Sequence, residues 1–173
     1  MVDLVQGVSA TARVGLFIAR YNAYRFDSRK EDDRSLRRCL MEQLNSARNH
    51  AINVLDYAQR DDNRDLRQQI KQMIDAIDVF KNDSNLAVTG TRGTFFTSES
   101  AATAASISQL IEYDAIILEK SDNASNALIS LSKAIMNKEV GVKAAAIDIS
   151  TAFLEIHNKF RERVKYIRGF GHK

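Results

Sequence analysis

The chain has 173 residues, with 25 Lys or Arg against 22 Asp or Glu, a formal net charge of +3 and a pI near 9.0. At 45% hydrophobic residues it carries enough apolar side chain for one packed core, which excludes a disordered chain and leaves little room for a second domain. Proline is absent, so long helices meet few breakers; the single Cys39 excludes an intrachain disulfide and a thiolate-rich metal or cluster site.

In chain order, Val5, Val8, Ala12, Leu16, Ala19, Ala23 and Phe26 recur at three and four residues, the period of one helix face, and predict a first helix over 3–26. Ser28-Arg29-Lys30-Glu31 has the spacing of a capping box and predicts a new helix there. Its stripe is Leu36, Leu40, Leu44, Ala47, Ala51, Val54 and Ala58, until Asp61-Asp62-Asn63 breaks the pattern near residue 62. A further stripe, Leu66, Ile70, Met73, Ile77 and Phe80, restores it in a different phase.

Residues 83–98 lose helical period and hold two of the seven glycines, which predicts an internal loop. Thr97 or Ser98 then serves as the cap of one long helix over about 98–136, and Asn137 and Gly141 mark the next turn. The last stripe, Ala146, Ile149, Phe153, Ile156, Phe160, Val164 and Ile167, ends at Gly169. The expected fold is therefore all-α, an antiparallel bundle of four to five helices in a single domain over 1–168, followed by a short flexible tail at 169–173.

The patterns that carry chemistry are sparse. Cys39 and His50 are eleven residues apart on one predicted helix, about 16 Å along its axis, too far for a nucleophile and its base. Glu155 and His157 lack the Glu-x-x-His spacing of a bundle metal site. Asp75 with Asp78, and Glu119 with Asp122, do stand one turn apart, and they make a metal-dependent helical hydrolase the best enzymatic alternative. A solvated helix face has the same spacing, so the chain is read as non-enzymatic, with no cofactor and no small-molecule substrate.

Asp114 falls within the apolar stripe of the long helix and needs a partner if buried; Arg13 and Arg20 are the candidates. Charge is uneven: residues 159–173 hold six cations against one acid, which makes Lys159, Arg161, Arg163, Lys165 and Arg168 the expected contacts for an anionic partner. Arg92, Phe95 and Phe96 form an expected partner-contact loop, one phenylalanine capping the bundle and the other meeting the partner.

The functional expectation is an interaction or assembly protein: an adaptor, a chaperone-like bundle or a self-associating subunit. Its partner would be a protein or a second copy. A nucleic-acid-binding protein led by the basic C-terminal helix is the alternative, and a membrane surface ranks behind both. The opening Met1-Val2-Asp3-Leu4-Val5 lacks the cationic start of a secretory signal, and no run reaches about 20 apolar residues, so the expected location is cytoplasmic.

Overall fold

The computed structural model describes residues 9–86 and 93–170. Four long helices build it: α2 (Arg29–Arg60), α3 (Arg64–Leu86), α5 (Ala104–Met136) and α6 (Val142–Gly169), with the short α1 (Ala10–Gly15) and α4 (Thr94–Thr97) at one end. The class is all-α, as the periodicity requires, and no strand occurs among the described residues. Among these residues no helix is long and apolar enough to cross a membrane.

The break near residue 62 is present. Asp62 takes the left-handed conformation at φ 47°, and the Asn63 side-chain oxygen accepts the Leu66 N–H, opening α3 with a cap. No break occurs near residue 122; α5 runs 33 residues, about 50 Å at 1.5 Å per residue. Gly141 turns the chain into α6 at φ 85°, a conformation that costs an L side chain about 1–2 kcal/mol.

Contacts run α2 to α3, α3 to α6, α6 to α5 and α5 to α2, which sets the four helices at the corners of a square. Consecutive helices are antiparallel: Arg48 of α2 bonds Asp78 late in α3 at 2.7 Å. Asp65 with Lys143, and Asp83 with His157, join α3 and α6 start to start and end to end, so that neighbouring pair is parallel. The link from α3 to α5 thus crosses the diagonal of the bundle, and α4 lies across that end. The core is one continuous cluster whose largest members include Tyr24, Phe80, Phe95, Phe153 and Phe160.

Several boundaries differ from the periodic reading. The first helix stops at Gly15 rather than near residue 26, and Leu16, expected in its core stripe, is 81% exposed. Ala23 and Tyr24 both have positive φ, which turns the chain across the bundle end. Polar bonds replace the helical ladder there: Asp32 accepts the Asn22 and Tyr24 N–H groups at 2.9 and 2.8 Å. Ser28 makes no capping bond to α2; its hydroxyl instead reaches Arg25 carbonyl and Asp32.

Within the expected loop, α3 continues to Leu86 and α4 adds a helical turn. The capping box that opens α5 is Thr103 with Ser106, not Thr97 or Ser98. Of the expected tail, Phe170 is buried and stacks on Phe95 with ring centroids 4.8 Å apart, because the crossover presents an aromatic face to it. Val5, Val8, Arg92 and residues 171–173 lie outside the described residues.

Candidate functional site

Asp114 is wholly buried on α5, but its partner is Arg163 of α6, not Arg13 or Arg20. Arg163 Nε donates to Asp114 Oδ1 at 2.5 Å, and its Nη2 reaches Asp33 Oδ1 of α2 at 2.9 Å and Tyr24 Oη at 2.5 Å. The hydroxyls of Tyr24 and Tyr21 both donate to Asp114 Oδ2. Arg37 closes the outer side of the network with an Nε bond to Asp33 Oδ2 at 3.0 Å. Three helices and the N-terminal segment therefore meet on one guanidinium.

Burial pushes the Asp114 carboxyl above its ordinary range, opposed by the Arg163 charge and the Tyr24 hydrogen bond. Burial also works against the Arg163 cation, yet Asp114, Tyr24 and Asp33 together hold it well above the usual arginine value. The tyrosine hydroxyls are raised first by burial, then by charges that include Asp114, so both remain donors. No atom of this network is an exposed nucleophile or an open ligand position. Its effect is to fix the N-terminal segment and one end of the bundle.

This placement removes Arg163 from the expected anion-binding set: at 1% exposure it cannot meet a partner. Helical spacing contained the signal, because 160, 163 and 167 lie on one face and Arg163 sits between Phe160 and Ile167. Asp33 and Arg37 likewise flank Leu36 in the core stripe of α2. A charge inside an apolar stripe on each of three helices pointed to a shared partner, whereas Tyr21 and Tyr24 lay in a segment read as helix.

Arg29 is buried beside this network and donates to the carbonyls of Phe95 and Ser98 at 2.8 and 2.9 Å, with its guanidinium 4.8 Å from the Phe95 ring centroid. Phe95 and Phe96 are both buried, so neither serves as a free partner contact. An extended segment would have sent them to opposite sides; the helical turn of α4 sends both inward.

Arg13 latches α1 to α5. It donates to Glu112 at 2.7 Å and, through Nε and Nη2, to both oxygens of Glu119 at 2.7 and 2.6 Å. The Arg13 hydrogen bond holds the Glu119 carboxyl below its usual value. A carboxylate lowered in the fold stabilises it above its unfolded value and ceases to do so as pH falls through the folded value. Arg13→Ala is therefore expected to cost about 1–2 kcal/mol at pH 7, the partly exposed glutamates keeping it below the full range of charge-assisted bonds. In urea titrations the deficit should shrink as the pH falls below 4.

Of the paired acids weighed for metal chemistry, Asp78 and Glu119 are engaged elsewhere. Asp78 bonds Arg48 and meets Lys81 at 3.7 Å, and Glu119 belongs to Arg13. Among the described residues no group of three or more metal-ligating side chains comes together. Cys39 is half-buried, and burial pushes its thiol up, away from the reactive thiolate. His157 is buried, stacks on Phe80 and bonds Asp83 through Nε2 at 2.8 Å.

The remaining cations of the basic set lie on the outside of α6. Arg161 is 63% exposed and 3.7 Å from Asp83, while Lys165 and Arg168 are exposed and make no ion pair among the described residues. Lys159 bonds Glu162 at 3.0 Å and stands 4.7 Å over the Tyr113 ring. Two of the concave surfaces along this helix lie near these cations. One, of about 760 Å³, opens towards α5 over Tyr113, Tyr166 and Phe170. The other, of about 380 Å³, lies towards α3 over Phe160 and Val164, with Asp83, Arg161, Lys165 and Arg168 at its rim.

The chain matches no protein-family model, no curated protein and no solved structure.

Proposed function

We propose that the protein is a non-enzymatic interaction module whose working surface is the outer face of α6. One observation carries this reading. Ile147, Leu154, Arg161 and Arg168 follow one another at intervals of seven residues, so they keep nearly one azimuth on the helix. Ile147 and Leu154 are 42% and 50% exposed, and Arg161 and Arg168 are exposed beyond them. The bundle packs through the face of α6 that carries Ala146, Ile149, Phe153, Ile156, Phe160 and Ile167, and this apolar-then-cationic stripe lies on the flank beside it, towards α3.

An enzymatic role has less support, because the buried groups Asp33, Arg37, Asp114, His157 and Arg163 are spent on ion pairs. The apolar triplets Leu16-Phe17-Ile18 and Ile116-Ile117-Leu118, wider than one packed face needs, leave little surface for self-association: Ile18, Ile117 and Leu118 are buried, and Leu16 stays outside.

Light scattering after size exclusion, read together with absorbance, tests the module. With no Trp and five Tyr, bound nucleic acid would dominate the spectrum. A protein partner that co-purifies without nucleic acid supports the module. A monomer without partner, unchanged to near-millimolar concentration, counts against it. The nucleic-acid alternative rests on the exposed cations, and burial of Arg163 limits it. With Arg161, Lys165 and Arg168 as phosphate contacts, log affinity should fall against log salt with a slope of about −2.7.

A further inference from the structure

The α6 stripe borders a furrow shared with α3. His157 bonds Asp83 and stacks on Phe80, and Phe80 also meets Phe160 at 5.7 Å between ring centroids. This alignment sets Val79, one residue before Phe80 and 54% exposed, level with Leu154. By this register Val79, Ile147 and Leu154 make an apolar half beyond the concave part, whose floor is Phe160 and Val164. Below it, Arg161, Lys165 and Arg168 form a cationic half facing one carboxylate, Asp83, which already holds His157.

From Ile147 to Arg168 the stripe extends about 32 Å, or three heptads of helix. A second copy of the chain fits it poorly. Two-fold pairing brings either cation against cation or cation against apolar side chain, and three half-exposed side chains fall far short of the ~800 Å² per partner of a stable interface. A nucleic acid would leave the apolar half unused.

We propose that this furrow docks an acidic amphipathic helix from a protein partner, with aliphatic side chains over Val79, Ile147 and Leu154 and carboxylates against Arg161, Lys165 and Arg168. The helix runs antiparallel to α6 with its acidic half first. In that direction its carboxylates compensate its own N-terminal dipole while facing the cationic end of α6. This proposal rests on the module reading and names its partner.

The probe is a fluorescein-labelled synthetic helix of about 21 residues, acidic in its first half with leucines at helical spacing in its second, followed by anisotropy on the full chain. A second peptide carries the two halves in reverse order, and a third is scrambled. The acidic-first peptide should bind, the reversed one roughly tenfold more weakly and the scrambled one not at all. Leu154→Glu and Arg161→Glu, both at exposed positions, should each weaken binding at least about tenfold. A peptide with Lys in place of Glu should bind Arg161→Glu better than it binds the original chain, a gain that a misfolded variant would not show.

Equal binding of all three peptides, or affinity untouched by both substitutions, would overturn the proposal. So would capture by phosphatidylserine vesicles or duplex DNA that depends on Leu154 and Arg161 where the acidic-first peptide fails to bind. If a co-purifying protein partner is retained by both variants, the furrow assignment fails and the module reading stands. If neither a partner nor self-association is found and the peptides do not bind, both fail.

Discussion

Arg163→Met is expected to produce the largest loss of stability of any single change, about 3–5 kcal/mol, because it strips the partner from a wholly buried carboxylate and leaves Asp33 with Arg37 alone. For a chain of this size such a loss lowers the melting temperature by on the order of 10 °C. The sign of its pH dependence follows from Asp114, whose folded pKa is already raised by burial and rises further without the guanidinium. A carboxyl raised in the fold favours folding below its unfolded value, and that contribution is lost as pH increases through the folded value. The deficit of Arg163→Met should thus be larger at pH 8 than at pH 5, measured by urea unfolding at each pH. Removing both charges, Asp114→Leu with Arg163→Met, should cost less than the single change, because Arg37 still covers Asp33 and no bare carboxylate remains at residue 114. A double variant no better than the single one would show that the packing of the long side chain, and not the pairing of charge, carries the effect.

Phe95→Ala should follow closely, at about 3–5 kcal/mol, the range for truncating a buried phenylalanine. Phe95 ties α4 to three other elements: it meets Tyr24, its neighbour Phe96 and Phe170 through ring contacts of 5.7, 5.0 and 4.8 Å and carries the Arg29 guanidinium on its face. Its loss leaves a hole where the N-terminal segment, α4, the start of α2 and the end of α6 converge. Phe95→Leu should recover part of the stability by refilling the hole, while the stacking on Phe170 and the cation–π contact remain lost. Thermal unfolding of the three proteins separates these contributions, and a loss below about 1 kcal/mol for Phe95→Ala would mean that the bundle end is not closed by this ring.

The long helices and their inward faces were legible in the residues, because a 3.6-residue apolar period admits one burial solution and few breakers compete with it. The stripes of α2 and α3 point inward as spaced, that of α6 does so with Val164 half-buried, and the break at Asp61-Asp62-Asn63 lies where the apolar pattern changes phase. Part of the surface was legible too: Arg161, Lys165 and Arg168 stand outside α6 as their spacing requires.

Tertiary structure alone decided what lies across the bundle end and which charges pair. The segment 16–25 has helical spacing, yet its Asn22 and Tyr24 N–H groups go to Asp32 and its tyrosines to Asp114, a gain in buried hydrogen bonding that no local pattern displays. Whether Arg163 faces water or the core depends on which helix stands opposite, and the diagonal crossover sets that by bringing α2 and α5 together at Asp33 and Asp114. The furrow between α3 and α6 arises in the same way. Its two sides, Val79 with Asp83 on α3 and the Ile147–Leu154–Arg161 stripe on α6, are far apart in the chain, and they share a surface because the crossover makes α3 and α6 parallel neighbours.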